Sequence, residues 1–566
     1  MECSAPSSRL FHGIVRLMSM RRRNLLKALG VLGCASIPGR WLPALAAAPA
    51  ADRVADDYCA VNSGSRPLFV PAGDGWFGRL APDGAPLTLR ASPIAGTVGP
   101  WTQGFAVEHR GARFVNPTLI LKPGEPVRID LENALQEPTI VHWHGLTVDT
   151  RNDGAATPPI APGRRYSYTF DVRDRGSMYW YHPHPHGLTA GQAYRGMFGL
   201  IEVEDDDERA LRAALDLVPG RSEITLILQD RRGAVYDATD FDRLHGWFGD
   251  AIHVNGAVCS HLDVATRIYR FRVLNASNAR TYRLGLRSAD GKAMAFTLLG
   301  TDDGLLAGPR RCNEAFVASA ERIDILVDLS DAAVGDTVLL ETRAFDPMHM
   351  EMAAPAAAID HAAMDHMTAP PSAESRTPAM PDHAAMGHGG SFPEGGLRTL
   401  LQLRVRERIA YRATIPQRLS TIAPIDTANA MERPLRLGFA KGRWRINDRV
   451  FAMGETPIEV KRDSVETWLI RNYFNSMPHA MHLHGFHFQV LERQTSPDQI
   501  AALKVDERGR LATDLGWKDT VLVWPGESVK IAIDFALPFA GEQTYMFHCH
   551  NLEHEDGGMM LGVKVT

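Results

Sequence analysis

The sequence predicts an all-β protein built from several β-sandwich or barrel domains. Short segments with period-two alternation of apolar and polar residues recur along the chain, among them 165–172, 223–229, 267–273 and 528–535. Glycine and proline, with 49 and 36 copies, interrupt these segments throughout. Many short alternating segments separated by turn residues are typical of β-sandwiches and barrels. The 566 residues are enough for three or four domains at roughly 150 residues each.

Helical periodicity is sparse, and the best candidate, residues 205–215, is predicted to be a short connecting helix. The net charge of −5 argues against a nucleic-acid-binding protein, which usually carries a basic excess. The informative counts are 22 histidines, 20 methionines and only 6 cysteines. Imidazole and thioether groups are ligands of transition metals, whereas so few cysteines exclude a disulfide-stapled scaffold.

Residues 1–50 are interpreted as an export signal. Three arginines at 21–23 precede Leu25-Leu26-Lys27, an apolar run and small residues near 44–48. This order is similar to a twin-arginine signal, so we expect a periplasmic protein. The apolar run is too short for a membrane span of about 20 residues, and we expect no transmembrane segment. A lipoprotein attachment at Cys34 is the alternative.

Composition places the domain boundaries. The strand-rich stretches are 55–206, 218–346 and 395–566, and the segment 347–394 between the last two has almost no strand pattern. That segment is rich in Ala, Pro, Met and His, with few large aliphatic residues. It cannot bury a core, so mobility is expected. An oxidising compartment permits disulfides, and the pairing among Cys59, Cys259 and Cys312 stays open.

The first and last domains carry matching motifs, which indicates an internal repeat. The matches are 142–145 (His-Trp-His-Gly) with 482–485 (His-Leu-His-Gly), 181–184 (Tyr-His-Pro-His) with 547–550 (Phe-His-Cys-His), and 196–197 with 558–559 (Gly-Met in both). The middle domain lacks the histidine pairs. We therefore expect one shared site between the first and last domains.

Four His-x-His pairs indicate a metal cluster. On a strand both rings of such a pair lie on one face, because side chains alternate. A single pair is common by chance, but four pairs in two matching sets are not. Imidazole suits copper, zinc, iron and nickel, so these residues do not select the metal. The eight histidines are His142, His144, His182, His184, His482, His484, His548 and His550.

Cys549 selects copper. It lies between His548 and His550, so on a strand its side chain faces the opposite way. Two imidazoles, one thiolate and a weak axial thioether form the blue-copper electron-transfer site, whereas zinc prefers a tetrahedral four-ligand set. The candidates for this second site are His479, Cys549, His554 and Met559. An electron taken up at the thiolate copper would have a bonded path into the histidine cluster.

These motifs resemble those of the multicopper oxidases, most closely the bacterial copper-efflux oxidases, over the signal and all three domains. The resemblance implies three cupredoxin-like Greek-key β-sandwich domains and four copper ions. The implied ligands are His479, Cys549, His554 and Met559 for one type 1 copper, His142 and His482 for one type 2 copper, and His144, His182, His184, His484, His548 and His550 for two type 3 coppers. Family enzymes reduce O₂ to two waters with four single electrons.

Reduction of O₂ also needs protons, which a nearby carboxyl group can relay as a general acid. Glu555 directly follows His554, and Asp153 lies in a loop after His144. The resemblance implies proton-relay roles for both, with surface carboxylates as the alternative. Asp519 is interpreted as structural. His186 and His487 lie near the motifs but outside the family pattern, and no ligand role is expected for them.

The segment 347–394 is interpreted as a collector of Cu(I), because soft thioethers select Cu(I). Its methionines include Met348, Met350 and Met352. The copper-efflux oxidases bind substrate copper through an acid and a methionine just before the type 1 histidine. The matching positions here are Asn475 and Met477, so the methionine is present and the acid is not.

The leading hypothesis is an exported, monomeric oxidase that converts Cu(I) to Cu(II) with O₂ and provides copper tolerance. The first alternative is a laccase-like oxidase that uses the same coppers on phenols or other small aromatic reductants. The second is a periplasmic copper-sequestering protein without turnover, although storage alone does not need a thiolate linked to a histidine cluster.

Overall fold

The computed structural model describes residues 65–94, 99–350 and 392–566. These residues belong to one compact unit, 53–566. The predicted signal at 1–50, Cys59, Met352 and most of the Met- and His-rich segment lie outside the described residues. No helix within the described ranges is both long and apolar enough to cross a membrane.

The first described strand, β1 (Arg66–Pro67), belongs to a sheet of the middle sandwich. The strands that follow it up to Val203 form the first sandwich. They are β2 (Gly75–Trp76), β3 (Arg79–Leu80), β4 (Leu87–Pro93), β5 (Gln103–His109), β6 (Ala112–Val115), β7 (Thr118–Leu121), β8 (Pro126–Asn133), β9 (Val141–His144), β10 (Arg165–Asp171), β11 (Ser177–Pro183) and β12 (Gly199–Val203). One sheet has the order β10-β8-β4-β5-β6-β2 and the other β3-β7-β12-β11-β9. Apolar side chains from both sheets, such as Leu89, Ile129 and Trp143, form its core.

The middle sandwich uses strands β13 (Glu223–Arg231), β14 (Ala251–Val254), β15 (Ser260–Ala265), β16 (Ile268–Asn275), β17 (Tyr282–Ser288), β18 (Ala293–Met294), β19 (Phe296–Thr301), β20 (Gly304–Cys312), β21 (Glu314–Val317), β22 (Arg322–Asp328), β23 (Thr337–Thr342) and β24 (Arg398–Glu407). One sheet has the order β1-β15-β24-β23-β17-β18, with β21 beside β17, and the other β14-β13-β16-β22-β19-β20. Leu226, Phe271 and Leu403 share its core.

The third sandwich contains β25 (Met431–Ala440), β26 (Arg443–Ile446), β27 (Ile458–Val460), β28 (Val465–Asn472), β29 (His479–Leu483), β30 (Phe488–Gln494), β31 (Thr520–Val523), β32 (Ser528–Asp534), β33 (Gln543–Cys549) and β34 (Met560–Val565). Its sheets have the orders β26-β25-β28-β32-β30 and β27-β34-β33-β29-β31. Strands that are neighbours in space are often distant in sequence, as Greek-key connections require. The prediction of an all-β fold of three such sandwiches is confirmed.

Two strands cross the boundaries placed in the sequence. β1, within the predicted first domain at 55–206, pairs in parallel with β15 of the middle sandwich. β24, within the predicted last domain at 395–566, pairs with β15 and β23. Phe392, at the end of the Met- and His-rich segment, is buried in the middle core. Alternation identifies a strand, but its pairing partner depends on long-range contacts that the local pattern does not contain.

Helices are short and connect strands. They are α1 (Thr150–Asp153), α2 (Thr189–Tyr194), α3 (Asp206–Ala214), α4 (Asp240–His245), α5 (Asp498–Ala501) and α6 (Leu552–Asp556), with a 3₁₀ turn at Ala512–Asp514. α3 is the connecting helix predicted at 205–215, and the Asp205 side chain caps its amino end. Glu208 of α3 receives two hydrogen bonds from the fully buried Arg270 of the middle sandwich. A buried ion pair thus joins the connector to the second sandwich.

Cysteine states differ along the chain. Cys259 is disulfide-bonded, whereas Cys312 and Cys549 are free thiols. Of the three cysteines left open by the sequence, Cys312 therefore takes no part in a disulfide. Burial raises the pKa of Cys312 to about 11, so its thiol stays protonated near neutral pH.

Candidate metal centre

Strand pairing brings the histidine pairs together within each sandwich. β9 and β11 are antiparallel, with His142 opposite His182. β29 and β33 are antiparallel, with His482 opposite His548. Residues directly opposite each other on one face of a sheet lie in contact. All eight paired histidines are buried, with at most 1% of each residue exposed.

The rings from the two sandwiches then stack on each other. His142 lies on His484 with ring centroids 3.7 Å apart, and His144 lies on His482 at the same distance. Direct hydrogen bonds hold the two sandwiches together beside the rings. The Tyr545 hydroxyl donates to the carbonyl of Val148 at 2.8 Å. The eight histidines therefore form one cluster between the first and third sandwiches, where the internal repeat predicts it.

His142 and His482 each have one ring nitrogen available. Nδ1 of His142 lies 2.9 Å from the carbonyl oxygen of Asp153, and Nδ1 of His482 lies 2.8 Å from that of Asp519. These contacts place the proton on Nδ1 of each ring. Nε2 of each ring is buried and has no hydrogen-bond partner. An unpartnered buried nitrogen costs free energy unless something binds it, so this pair can hold a metal ion.

The other six histidines form two groups of three. In the first, Nε2 of His182 lies 3.4 Å from Nδ1 of His144 and 3.4 Å from Nε2 of His550. In the second, His184, His484 and His548 converge, and the Nε2 atoms of the last two are 2.9 Å apart. Burial and the neighbouring imidazoles lower the pKa of these histidines well below the ordinary value. Their rings are therefore neutral, as metal coordination requires.

A separate group surrounds Cys549. Its Sγ lies 3.5 Å from Nδ1 of His479 and 3.6 Å from Nδ1 of His554. The other nitrogen of each ring is already bound, since Nε2 of His479 contacts the Ser476 hydroxyl at 3.2 Å and Nε2 of His554 donates to the Leu244 carbonyl at 2.9 Å. Both rings therefore present Nδ1 to the thiol. This is the geometry expected of a group that holds one metal ion.

Side-chain alternation on β33 separates the two sites. Cys549 lies in the core of the third sandwich, with Met559 in the same core and fully buried. The flanking His548 and His550 point into the cluster between the sandwiches. Burial raises the pKa of the Cys549 thiol to about 12. A bound metal ion is thus required for the thiolate form near neutral pH.

Glu555 and Asp153 both touch the histidine cluster. The Glu555 carboxyl lies 3.4 Å from Nε2 of His184 and 3.4 Å from Nδ1 of His548, and it is 1% exposed. Burial raises the pKa of Glu555 well above its ordinary value. The Asp153 carboxylate lies 3.1 Å from Nδ1 of His484. The structure brings both predicted acids to the cluster, and neither is a surface residue.

Asp519 has a contact that the sequence interpretation missed. Its carboxylate lies 3.1 Å from Nε2 of His144, and Arg322 donates two hydrogen bonds to it. Although burial opposes ionisation, the Arg322 charge lowers the pKa of Asp519 well below its ordinary value. Asp519 thus repeats the arrangement of Asp153, with its carbonyl on one histidine and its carboxylate on another. Asp519 directly precedes Thr520, which lies opposite His482 on β31, and this pairing exists only in the folded sheet.

His186 and His487 stay outside the cluster, as expected. The His186 ring stacks on Phe451 with centroids 4.3 Å apart. Nε2 of His487 donates to the carbonyl of Gly145 at 2.7 Å. Both histidines therefore support the loops around the cluster and do not enter it.

Several predicted substrate-side residues lie beside His479. The Met350 amide donates to the carbonyl of Ser476 at 2.9 Å, and Ser476 contacts His479. Met477 is 3% exposed, whereas Asn475, Met348 and Met350 are half-buried. Met352 lies outside the described residues.

His349, one of the five histidines of the Met- and His-rich segment, is also described and is buried. It is 7% exposed, and its Nε2 lies 2.9 Å from the Glu394 carboxylate. This contact joins the two described ends of the Met- and His-rich segment. Burial, and after it the charge of His349, lowers the pKa of His479 to about 3.

Comparisons with known proteins identify the family of this chain. Two family models described as multicopper oxidase match residues 107–208 and 423–566. The laccase of Bacillus subtilis is 30% identical over 525 residues, covering 80% of this chain and 89% of its own length. The multicopper oxidase Mco of Staphylococcus aureus is 28% identical over 458 residues, covering 80% and 82%.

Among solved structures, the McoA multicopper oxidase of Aquifex aeolicus superposes with a TM-score of 0.73 and 34% identity. The match covers 89% of this chain and all of that one. The sandwiches are therefore cupredoxin-like, and the histidine clusters are those of copper-dependent oxidoreductases. The chain belongs to the multicopper oxidase family.

Proposed function

We propose that this multicopper oxidase is exported, oxidises Cu(I) and passes the electrons to O₂, which provides copper tolerance. Four Cu(I) ions, one O₂ and four protons yield four Cu(II) ions and two waters. The observation that carries the proposal is the position of Cys549, because the residues on either side of it, His548 and His550, belong to the histidine cluster. Electron uptake and O₂ reduction are thus joined through one continuous strand.

The donor atoms support four resident copper ions. The thiol, the two Nδ1 atoms and the buried methionine fit one type 1 copper, held by His479, Cys549, His554 and Met559. The two unpartnered Nε2 atoms fit one type 2 copper, held by His142 and His482. The remaining six histidines fit two type 3 coppers. They are His144, His182, His184, His484, His548 and His550.

Bound copper would supply reversible one-electron chemistry at the thiolate and O₂ reduction at the cluster. The protein's part is to fix the donors and exclude water. Asn551 donates its backbone amide to Cys549 Sγ at 3.4 Å, and the Trp444 ring packs on His479 and His554 with centroids 4.7 and 5.3 Å away. These contacts hold the thiol and both imidazoles rigidly, which favours fast electron transfer.

The two acids support proton delivery to the cluster. Burial raises the pKa of Glu555 well above its ordinary value, so it holds a proton to higher pH than an exposed glutamate, and it lies against His184 and His548. Asp153 lies on the other side of the cluster, against His142 and His484. A general acid within hydrogen-bond reach of the reacting groups can supply protons as they are consumed.

The surroundings of His479 support Cu(I) as the reductant. His479 and His554 are 0% and 1% exposed, so a bulky aromatic ring cannot stack on either without displacing its neighbours. The Leu244 carbonyl of α4 accepts hydrogen bonds from the His554 and Trp444 rings. α4 therefore helps to cover the side of the Cys549 site where His554 lies. Met348 and Met350 belong to the segment whose backbone binds Ser476 beside His479, and soft sulfur ligands select Cu(I).

Two alternative functions can be distinguished from Cu(I) oxidation by experiment. A laccase-like oxidase would use phenols, and the similarity to the Bacillus subtilis laccase favours this reading. A copper-sequestering protein would bind copper without consuming O₂, which the linkage of Cys549 to the cluster argues against.

The periplasm is proposed as the location from the arginine-rich start of the sequence. Fractionation of expressing cells tests it.

Oxygen uptake with two reductants separates the three functions. Copper-loaded protein is mixed with Cu(I) under anaerobic conditions, O₂ is then admitted, and the same experiment is run with 2,6-dimethoxyphenol. We expect a higher kcat/KM for Cu(I) than for the phenol. O₂ consumption with the phenol alone would contradict the proposal and favour the laccase, and no consumption with either would favour sequestration.

A deletion variant tests the Met- and His-rich segment. Removing residues 352–388 leaves His349 and Glu394 in place and takes away most of the segment's thioethers. We expect a higher KM for Cu(I) with kcat nearly unchanged, because the segment contributes to substrate binding and not to the reaction itself. The phenol reaction is the internal control, and it should hold or improve. An unchanged KM for Cu(I) would remove the segment from the substrate site.

A further inference from the structure

Arg322 is a middle-domain residue that reaches the histidine cluster. It begins β22, is 2% exposed, and belongs to the sandwich that carries none of the four histidine pairs. Its guanidinium donates to both oxygens of the Asp519 carboxylate, at 2.9 and 2.6 Å. A bidentate pair of this kind fixes the carboxylate in orientation as well as in position.

The other hydrogen bonds of Arg322 go to the first and middle sandwiches, so that with Asp519 the side chain contacts all three. Nε donates to the carbonyl of Met178 in the first sandwich at 3.2 Å. In the middle sandwich, Nη1 donates to the carbonyl of Ala320 at 3.2 Å and Nη2 to that of Asp302 at 2.9 Å. Asp519 belongs to the third. Since Nε, Nη1 and Nη2 each donate at least one hydrogen bond, the guanidinium is held in a single orientation.

The first His-x-His-Gly motif is shaped around this ion pair. Gly145 has φ +88°, and a Cβ at this position would lie 2.7 Å from Oδ2 of Asp519 and 3.0 Å from Nη2 of Arg322. The glycine thus leaves the space that the carboxylate and the guanidinium fill. His144, the residue before it, is the histidine that Asp519 contacts.

Asp519 decides which nitrogen of His144 faces the cluster. Its Oδ1 lies 3.1 Å from Nε2 of His144 and also accepts the Thr520 hydroxyl at 2.8 Å. Both oxygens of Asp519 accept hydrogen bonds from Arg322, so the carboxyl group acts as an acceptor here and Nε2 of His144 carries the ring proton. Nδ1 is left with its lone pair, 3.4 Å from Nε2 of His182.

The corresponding acid of the repeat lacks such a partner. Asp153 contacts His484 and His142, and none of the described arginine or lysine side chains forms an ion pair with it. Arg322 is therefore not a feature of the repeated unit. It is supplied by the intervening domain to only one of two otherwise similar acids.

We infer that Arg322 is a positioning residue for the copper cluster: it holds Asp519 so that His144 presents Nδ1 to the metal shared with His182 and His550. The inference rests on the proposed copper assignment and deepens it. It also gives the middle domain a role in the site, although that domain contributes no metal ligand.

Copper retention by full-length protein tests this role. Arg322→Met removes the guanidinium group, and Arg322→Lys keeps the charge but loses the bidentate contact. Asp519→Asn replaces the carboxylate by a neutral amide. Arg493→Met is the matched control, because Arg493 is also buried and donates to both oxygens of a carboxylate, Asp514, at 2.7 and 3.0 Å. No described contact joins Arg493 to a ligand histidine.

Each protein is loaded with copper, and total copper, blue absorption and release to a chelator are measured. The blue absorption reports the Cys549 site and serves as an internal reference. We expect Arg322→Met and Asp519→Asn to keep the blue colour but to bind cluster copper about 10- to 100-fold more weakly. Arg322→Lys should recover part of the loss. Arg493→Met should lower Tm without selective copper loss.

The outcomes separate the inference from its premise. Wild-type protein without blue absorption would refute the proposed copper assignment itself. Blue, fully loaded wild type with unchanged copper release in the Arg322 and Asp519 variants would overturn the inference alone. Equal copper loss in Arg493→Met would also overturn it, because general destabilisation would then suffice. If Arg322→Met does not fold, Arg322→Lys and Asp519→Asn are judged by the same criteria.

Discussion

Replacing Gly145 by alanine measures how tightly the Asp519–Arg322 pair fills the space beside the first histidine motif. Two costs add. The left-handed backbone, with φ +88°, costs a residue with a Cβ about 1–2 kcal/mol. The new Cβ would also lie 2.6 Å from the Tyr179 ring and 2.7 Å from Asp519. Forcing a methyl group into a packed interior costs about 1–3 kcal/mol, so we expect a total loss of about 2–5 kcal/mol.

Gly124 offers a matched control in the same sandwich. Its φ is +84°, and a Cβ there would meet nothing within 4 Å. Gly124→Ala therefore carries the backbone cost alone. The difference between the two variants isolates the crowding around Asp519 and Arg322.

Denaturant unfolding of copper-loaded full-length protein gives both free energies, and total copper is measured on the same samples. Gly145→Ala should be less stable than Gly124→Ala by about 1–3 kcal/mol and should lose cluster copper while keeping the blue colour. Equal stability of the two variants would refute the packing argument, because it would show that Asp519 and Arg322 can move to admit the methyl group without a loss of stability.

Three further predictions concern single side chains. Cys549→Ser should remove the blue colour and oxidase turnover while far-UV circular dichroism stays unchanged; surviving turnover would refute the electron path. Glu555→Gln should lower kcat about 10²- to 10⁴-fold, with KM for the reductant unchanged. Burial raises the pKa of Glu555, so the acid form persists to higher pH than in an exposed glutamate, and the wild-type rate advantage should fall as pH rises through that pKa. Glu553→Gln is its control, because Glu553 binds Asn278 and Trp247 and not the histidines. Arg270→Met should cost about 3–5 kcal/mol of unfolding free energy, since it removes the buried cation that pairs with Glu208, Glu223 and Asp324 and leaves Glu208 only a 3.4 Å contact with Arg272; a loss below 1 kcal/mol, which is ordinary for a surface pair, would contradict this.

Much of the metal centre follows from local sequence. Period-two alternation places both histidines of a pair on one face, and it places Cys549 on the opposite face from His548 and His550. These relations need only a strand, so the spacing is sufficient to predict them. The internal repeat adds that the two sets of pairs meet, because two copies of one unit carry complementary halves.

Relations between distant segments were not predictable in the same way. The strand at 398–407 is recognisable from its alternation, yet it pairs with the middle sandwich and not with the residues that follow it. His349 reads as one of many histidines in a low-complexity segment, but it is buried against Glu394. Neither contact is indicated by a pattern in the neighbouring sequence.

The sequence by itself determined the all-β fold, the repeat and the residues able to bind copper, because strand alternation and ligand chemistry are local properties. Only the tertiary structure decided how the second nitrogen of several of these imidazoles is held. Leu244, Ser476 and Asp519 reach their histidines across turns or domains, and Arg322 reaches Asp519 from a third sandwich. Hydrogen bonds of this kind depend on the relative position of packed domains, which no short segment encodes.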